Sequence, residues 1–378
     1  MPVTIGVVQE TSAGERRIAT VPEITTKFTA CGAKVIVMRG AGVSARISDS
    51  DFKDIDFHDS AESVISASDV LLKVQPPTID EIGSLKPGAV VIGFMQPHKE
   101  HEMVKALRDK KITSFAMELV PRISRAQSMD ALSSQASIAG YKAVLMAAGH
   151  LDKFFPMLTT AAGTMRPAQA LIIGAGVAGL QAIATARRLG AMVEAFDVRS
   201  ETKEQIESLG AKFVDTGVVA EGEGGYAREL TEEERATQQK ALDEHIAKAD
   251  VVISTAAVPG RKAPRIISKA AVESMKQGSV IVDLAAESGG NCELTRLGET
   301  FEHNGVVIIG PENIGSTVAR HASDMYARNL FNFIQPAITE EGLKIDWEDE
   351  VFAGAVLTHD GEIKHEAKRK AVEGANNG

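Results

Sequence analysis

Leu171-Ile172-Ile173-Gly174-Ala175-Gly176-Val177-Ala178-Gly179 is the stretch that decides the fold. A β-branched apolar run stops at a glycine, and the G-x-G-x-x-G pattern opens an Ala-rich run that continues to Arg188-Leu189-Gly190. Strand, tight turn and helix in that order form the phosphate-binding corner of a dinucleotide fold. Gly174 permits the turn, Gly176 lets a pyrophosphate approach the backbone, and Gly179 lets helix and strand pack closely. Ala175 and Val177 belong to the same turn. The helix that follows offers N–H groups and the positive end of its dipole to phosphate.

Downstream, Met192–Phe196 reads as the next strand and delivers Asp197 at its end. An acid at that distance from the glycines hydrogen-bonds the adenosine ribose, and its charge repels a 2′-phosphate. The expected ligand is therefore NAD(H) rather than NADP(H). Arg199, beyond Val198, is the opposing signal, because an arginine there can host that phosphate.

Upstream of the fingerprint the same alternation recurs. Strands are expected at 3–8, 34–38, 70–74, 90–94 and 112–117, and helices at 22–31, 61–67 and 100–110. Apolar β-rich runs alternating with amphipathic helices imply parallel sheets covered on both faces. After the fingerprint, strands are expected at 212–214, 251–254, 280–283 and 306–309, with a helix opened at Thr231 by a capping box with Glu234. A hairpin is expected at the end, from Val351–Leu357 through His359-Asp360-Gly361 to Glu362–His365. Long helices at 132–151 and 318–334 flank the middle block. The fold class is thus α/β, with two Rossmann-like doubly wound parallel-sheet domains joined by long helices. Residues 1–130 plus 320–378 would form a discontinuous first domain, and 131–319 the NAD(H)-binding domain with its linking helices.

Composition narrows the functional classes. The chain has 378 residues, 44% hydrophobic and 24% charged, with a net charge of −10. That acidity argues against a nucleic-acid binder, and no basic run suggests a membrane-surface anchor. Cys31 and Cys292 are far apart and the nine histidines show no metal-ligand spacing, so no metal is expected. The longest apolar stretch, near 170–186, is interrupted by the three fingerprint glycines and Gln181. It is short of the ~20 apolar residues of a membrane helix. The N-terminus has neither a basic lead nor a cleavage site.

Three further features carry candidate chemistry. Residues 121–135, Pro-Arg-Ile-Ser-Arg-Ala-Gln-Ser-Met-Asp-Ala-Leu-Ser-Ser-Gln, are a polar run directly after a strand. Such groups suit the fixing of a nicotinamide ring, or simply a solvated connection. Residues 216–230 hold four glycines and Tyr226 without periodicity, a surface insertion or a lid that closes on nucleotide. Arg16, Arg17 and Lys73 stand near strand ends, where open parallel sheets take their ligands.

Arg122-Ile-Ser-Arg-Ala-Gln-Ser-Met-Asp130 closely resembles the loop of the NAD(H)-binding first domain of proton-translocating nicotinamide nucleotide transhydrogenase, in the alanine dehydrogenase/transhydrogenase family. The resemblance extends to Gly14-Glu-Arg-Arg17, Lys73-Val-Gln-Pro76, Gly174–Leu180, Gly224-Gly225-Tyr226, Pro259-Gly260 and Asp283–Cys292. It implies that Arg122, Gln127, Asp130 and Ser133 act at the nicotinamide end. It also implies a nucleotide site of Gly174, Ala175, Gly176, Val177, Gly179, Asp197, Val198, Arg199, Gly225, Tyr226, Ala256 and Glu287. Gly225 and Tyr226 would belong to a mobile lid.

The resemblance further implies direct hydride transfer between NADH here and NADP(H) on a partner component. A membrane-spanning component would carry protons, the chain would be a homodimer, and it would lie on the cytoplasmic face through its partners. The chain ends at Gly378 without the hydrophobic spans of longer members, as in a split-gene form. Alanine dehydrogenase, with the same two-domain plan, is the rival. Arg17 and Lys73 match its arginine and lysine, whereas Gln96 and Glu287 stand where its histidine and aspartate would be. Asn313-Ile-Gly315-Ser316 also departs from an Asn-x-Pro-Ser pattern.

Overall fold

The computed structural model describes residues 2–218, 231–257 and 262–374. The chain forms two compact units, Met1–Gln135 with Gly315–Gly378, and Ala136–Ile314.

In the first unit, strands β1 (Thr4–Val7), β2 (Lys34–Met38), β3 (Asp56–His58), β4 (Val70–Leu72), β5 (Val90–Gly93) and β6 (Thr113–Ala116) are all parallel. They lie in the order β6-β5-β4-β1-β2-β3, so the winding direction reverses between β4 and β1. The central strands are fully buried, which explains their unbroken Val/Ile/Leu sequences. β3, by contrast, is a polar edge strand whose sequence, Asp-Phe-His, carries no alternation to announce it. The helix Ile79–Ser84 also went unsignalled, although Thr78 and Glu81 close a capping box at its start. One core cluster is aromatic: Phe115 lies 5.2 Å from Phe333 and 5.7 Å from Phe352, ring centre to ring centre.

The C-terminal segment departs from the expected hairpin at its first half. Glu350–Ala355 is a helix because the Asp349 side chain accepts the Val351 N–H at 2.8 Å and caps it. Strand conformation starts at Val356, pairs antiparallel with β6, and turns at Asp360-Gly361 into Glu362–Ile363. Both turn residues have positive φ, 50° and 77°, as an Asp-Gly hairpin requires. A helix, Glu366–Gly374, then follows.

The second unit begins within the helix Ala131–His150. After it comes a separate hairpin, β7 (Leu158–Thr160) and β8 (Gly163–Met165), every residue of which is exposed. The main sheet is β9 (Gln169–Ile173), β10 (Met192–Phe196), β11 (Lys212–Phe213), β12 (Val251–Ser254), β13 (Val280–Asp283), β14 (Thr300–His303) and β15 (Val306–Ile309). Its order is β11-β10-β9-β12-β13-β15-β14, parallel except for the edge strand β14. Winding reverses between β9 and β12, which places the fingerprint turn at the switch point. Apolar clusters cover both faces of the sheet. Gly140 brings the Ala131–His150 helix against the fingerprint helix, since a Cβ there would fall 2.0 Å from the Ala178 carbonyl oxygen. The capping box at Thr231 forms as expected and opens the helix Glu232–Lys248. No helix among the described residues is long and apolar enough to cross a membrane.

Candidate functional site

Each fingerprint glycine has its own geometric reason. Gly174 has φ of +96°, and a Cβ on it would meet the Thr255 hydroxyl at 2.6 Å. A Cβ on Gly179 would fall 1.8 Å from the Gly174 carbonyl oxygen, so strand and helix touch there without a side chain between them. Gly176 is different. It sits at the N-terminus of the helix Val177–Arg188 with φ of −73°, and nothing lies within 4 Å of an added Cβ. The open space is on the side from which phosphate would approach the backbone. Thr255, at the end of β12, closes the turn by donating to the Gly174 carbonyl at 3.1 Å.

Asp197 is buried at the end of β10, and its carboxylate is already fully engaged. One oxygen accepts the Ala175 N–H at 2.7 Å, the other the Arg199 N–H at 2.9 Å, and the Arg199 guanidinium forks onto both at 3.0 and 3.1 Å. That fork raises the Arg199 pKa further above its ordinary value. Arg199 is thus tied to the acid rather than poised for a 2′-phosphate, and a ribose must displace its side-chain contacts to reach Asp197. Val198 is exposed beside them. Ala256 is held by buried Asn291, which accepts its N–H at 3.1 Å and donates to its carbonyl at 2.7 Å. Exposed Glu287 accepts the Asn313 N–H at 2.8 Å. Gly225 and Tyr226 lie outside the described residues, as do Gly224, Pro259 and Gly260.

The four residues expected at the nicotinamide end belong to the first unit. Ser124–Met129 forms a 3-10 turn after β6, anchored by buried Ala126 and Met129. Arg122 before it and Gln127 within it are exposed, and their side chains hydrogen-bond nothing among the described residues. Asp130 and Ser133 are brought together. Asp130 caps the helix Ala131–His150, accepting the Ser133 N–H at 2.8 Å and its hydroxyl at 2.6 Å.

A buried polar cluster occupies the carboxyl ends of β1, β4 and β5. Lys73 is 1% exposed and pairs with Glu81 at 2.8 Å and Glu10 at 3.2 Å. Arg17 forks onto Glu15 at 2.7 and 2.8 Å and reaches Gln135 at 2.9 Å. Burial pushes the Glu15 carboxyl up, but hydrogen bonding and charge from Arg17, with Gln75 and Ser316, outweigh it and hold the pKa at about 2. Burial raises Glu10 above its ordinary value despite Lys73. Gln96, on a positive φ of 43°, donates to Gln75 at 3.0 Å. The described residues contain no cluster suited to a metal ion.

Residues 6–139 match the family model for the alanine dehydrogenase/PNT N-terminal domain, and residues 143–366 that for the alanine dehydrogenase/PNT C-terminal domain. The chain belongs to the alanine dehydrogenase/PNT family. The first of the polypeptides that make up NAD(P) transhydrogenase subunit alpha in Rhodospirillum rubrum is 46% identical over 376 residues, covering 96% of this chain and 98% of that one. The crystal structure of transhydrogenase from Sinorhizobium meliloti superposes with a TM-score of 0.87 at 44% identity, covering 95% of this chain and 99% of the other. An L-alanine dehydrogenase structure shares the fold, with a TM-score of 0.79 at 23% identity over 98% and 99% of the two chains.

Within this alanine dehydrogenase/PNT chain, sequence reasoning missed the residues that support the site. Thr255 and Asn291 brace the switch point. Fully buried Asp283 ties β13 to its neighbours by accepting from Ser254, Ala285, Cys292 and Thr295 at 2.7–3.0 Å. Asp283 at a strand end was visible as a motif, but its partners are set by packing alone.

Proposed function

We propose that this chain is the NAD(H)-binding subunit of a proton-translocating NAD(P)+ transhydrogenase, an oxidoreductase that passes hydride directly between NADH on the chain and NADP+ on a partner component. The observation that carries this reading is the make-up of the 122–133 loop. It offers hydrogen-bonding groups and no free proton acceptor, since each oxygen of Asp130 already accepts from Ser133. Hydride transfer between two nicotinamide rings requires no acid or base. It requires the rings to be held about 3.5 Å apart with water excluded. Whole-length likeness to a transhydrogenase alpha subunit at 46% identity supports the same reading.

In this mechanism the second unit binds NADH. Its phosphates rest on the Gly174–Gly179 corner and its ribose on Asp197. Ala175, Val177, Val198, Ala256 and Glu287 complete the pocket, with Gly225 and Tyr226 as lid. Arg122 and Ser133 hold the carboxamide, Asp130 orients Ser133, and Gln127 reaches toward the partner's nucleotide. A membrane-spanning component couples transfer to proton movement and keeps the chain at the cytoplasmic face. The exposed β7–β8 hairpin supports a homodimer. Met157 is 65%, Met165 49% and Leu158 38% exposed, and isolated hairpins of this size are marginal in water.

An amino-acid dehydrogenase is less well supported because oxidising an amine requires a proton acceptor beside the substrate. Gln96, an amide bonded to Gln75, offers none. The test is incubation with 4-deuterated NADH and an NADP(H)-binding transhydrogenase component. Deuterium on NADPH is the expected result. Reduction of NAD+ by L-alanine without the partner would overturn the proposal.

A further inference from the structure

The nicotinamide-end loop and the helix after it are held by one buried side chain. Asn329, on the helix Ala319–Ile334, is 7% exposed. Its amide nitrogen donates to the Ser128 carbonyl at 2.9 Å, and its amide oxygen accepts the Ser134 hydroxyl at 2.7 Å. A carbonyl can only accept, so the amide has one permitted orientation: nitrogen to Ser128, oxygen to Ser134. Ser128 follows Gln127, and Ser134 follows Ser133. Asn332, one turn on, adds a second donor to the Ser128 carbonyl at 3.1 Å. Among the charged groups on the elements packed against this helix, Arg125 pairs with Asp349 and Asp130 binds Ser133. Glu23 pairs with Lys27 and with Arg328 of the helix itself. No charged side chain hydrogen-bonds Asn329 among the described residues.

We infer that Asn329 is a positioning residue for hydride transfer, fixing Gln127 and Ser133 relative to one another through their chain neighbours. The inference rests on the transhydrogenase reading. An exposed 3-10 turn has little packing of its own to hold Gln127, whose side chain has no partner among the described residues. Its placement follows from where its backbone is tied. Displacement of a positioning group by about 1 Å costs up to ~100-fold in rate.

The test uses Asn329→Asp, which keeps the shape and the bond to Ser134. The introduced carboxylate turns an oxygen onto the Ser128 carbonyl, acceptor against acceptor. At pH 8 hydride transfer to the partner-bound NADP+ should fall roughly tenfold, with NADH affinity within about twofold of wild type. As the pH is lowered the introduced carboxyl takes a proton and can donate to Ser128 again, so the deficit should shrink. A deficit that stays constant with pH assigns Asn329 a merely structural role and overturns the inference, as does a rate within twofold of wild type.

Amide exchange across 124–130, measured without any partner, is the second readout. It should quicken several-fold in Asn329→Asp and in the milder Asn332→Ala, and unchanged exchange in both overturns the clamp. If the wild-type chain transfers no hydride in the same assay, the transhydrogenase reading fails, while the exchange result still decides whether the clamp exists.

Discussion

Alanine substitution at two of the fingerprint glycines should separate folding from binding. At Gly179 an added Cβ would sit 1.8 Å from the Gly174 carbonyl oxygen, whereas a carbon and a carbonyl oxygen ordinarily approach to about 3.3 Å. The obstacle is backbone, so the helix must move away from the strand. Overpacking of that kind costs about 1–3 kcal/mol or more, against a helix-propensity gain of up to ~1 kcal/mol. Gly179→Ala should therefore lose roughly 2 kcal/mol, with nucleotide binding lost alongside.

At Gly176 the φ of −73° suits alanine and the space is open. Alanine is the poorer helix cap by about 0.5–1 kcal/mol, but restricting the unfolded chain returns a similar amount, so stability should stay within about 1 kcal/mol. The methyl group would nevertheless stand in the approach of the pyrophosphate, and NADH affinity should fall by ~30-fold or more, about 2 kcal/mol. Urea unfolding and NADH titration by nucleotide fluorescence measure the two effects on the same samples. Tight NADH binding by Gly176→Ala would refute the assignment of the open face to phosphate. An unchanged urea midpoint in Gly179→Ala would refute the packing argument.

The Glu15 carboxyl drops from 4.5 in an unfolded chain to about 2, so its contribution of about 3 kcal/mol is complete above pH 4.5 and fades as the pH falls toward 2. Acid unfolding midpoints should show that Glu15→Gln has lost stability at pH 7 and depends less on pH between 5 and 3. Asp197→Asn should weaken NADH about tenfold and narrow the preference over NADPH, while Arg199→Ala, by releasing the fork on Asp197, should leave NADH binding intact or tighter. Paired titrations with the two nucleotides decide this, and an unmoved preference in Asp197→Asn would remove the acid from ribose recognition. Asp130→Ala should cost about 1 kcal/mol as a lost helix cap, and Asp130→Asn almost nothing. Hydride transfer lowered in both variants, compared with their urea midpoints, would separate a role in the reaction from capping.

Most regular elements were legible because their causes are local. Val-Leu-Leu at 70–72 and Val-Ile-Val at 280–282 must be strands buried on both faces, and Thr231 with Glu234 announces its helix within four residues. Errors fell where local signals were weak or conflicting. The edge strand Asp56–His58 is polar, and Val351–Ala355 has β-branched and apolar residues yet follows a capping aspartate. The candidate site divides along the same line. Arg122, Gln127, Asp130 and Ser133 were named from the run that holds them, but the engagement of Asp130 by Ser133 came from the structure.

By itself the sequence determined the dinucleotide corner, because backbone freedom at Gly174 and close approach at Gly179 are demands of a few consecutive residues. It also determined the acid at the end of the next strand. Only the tertiary structure decided how those groups are held: Arg199 folded back onto Asp197, Asn291 onto Ala256, and Asn329 onto Ser134 across 195 residues of chain. Such bonds form because burial leaves each polar group only the partners that packing brings within reach, and no spacing along the chain encodes that meeting.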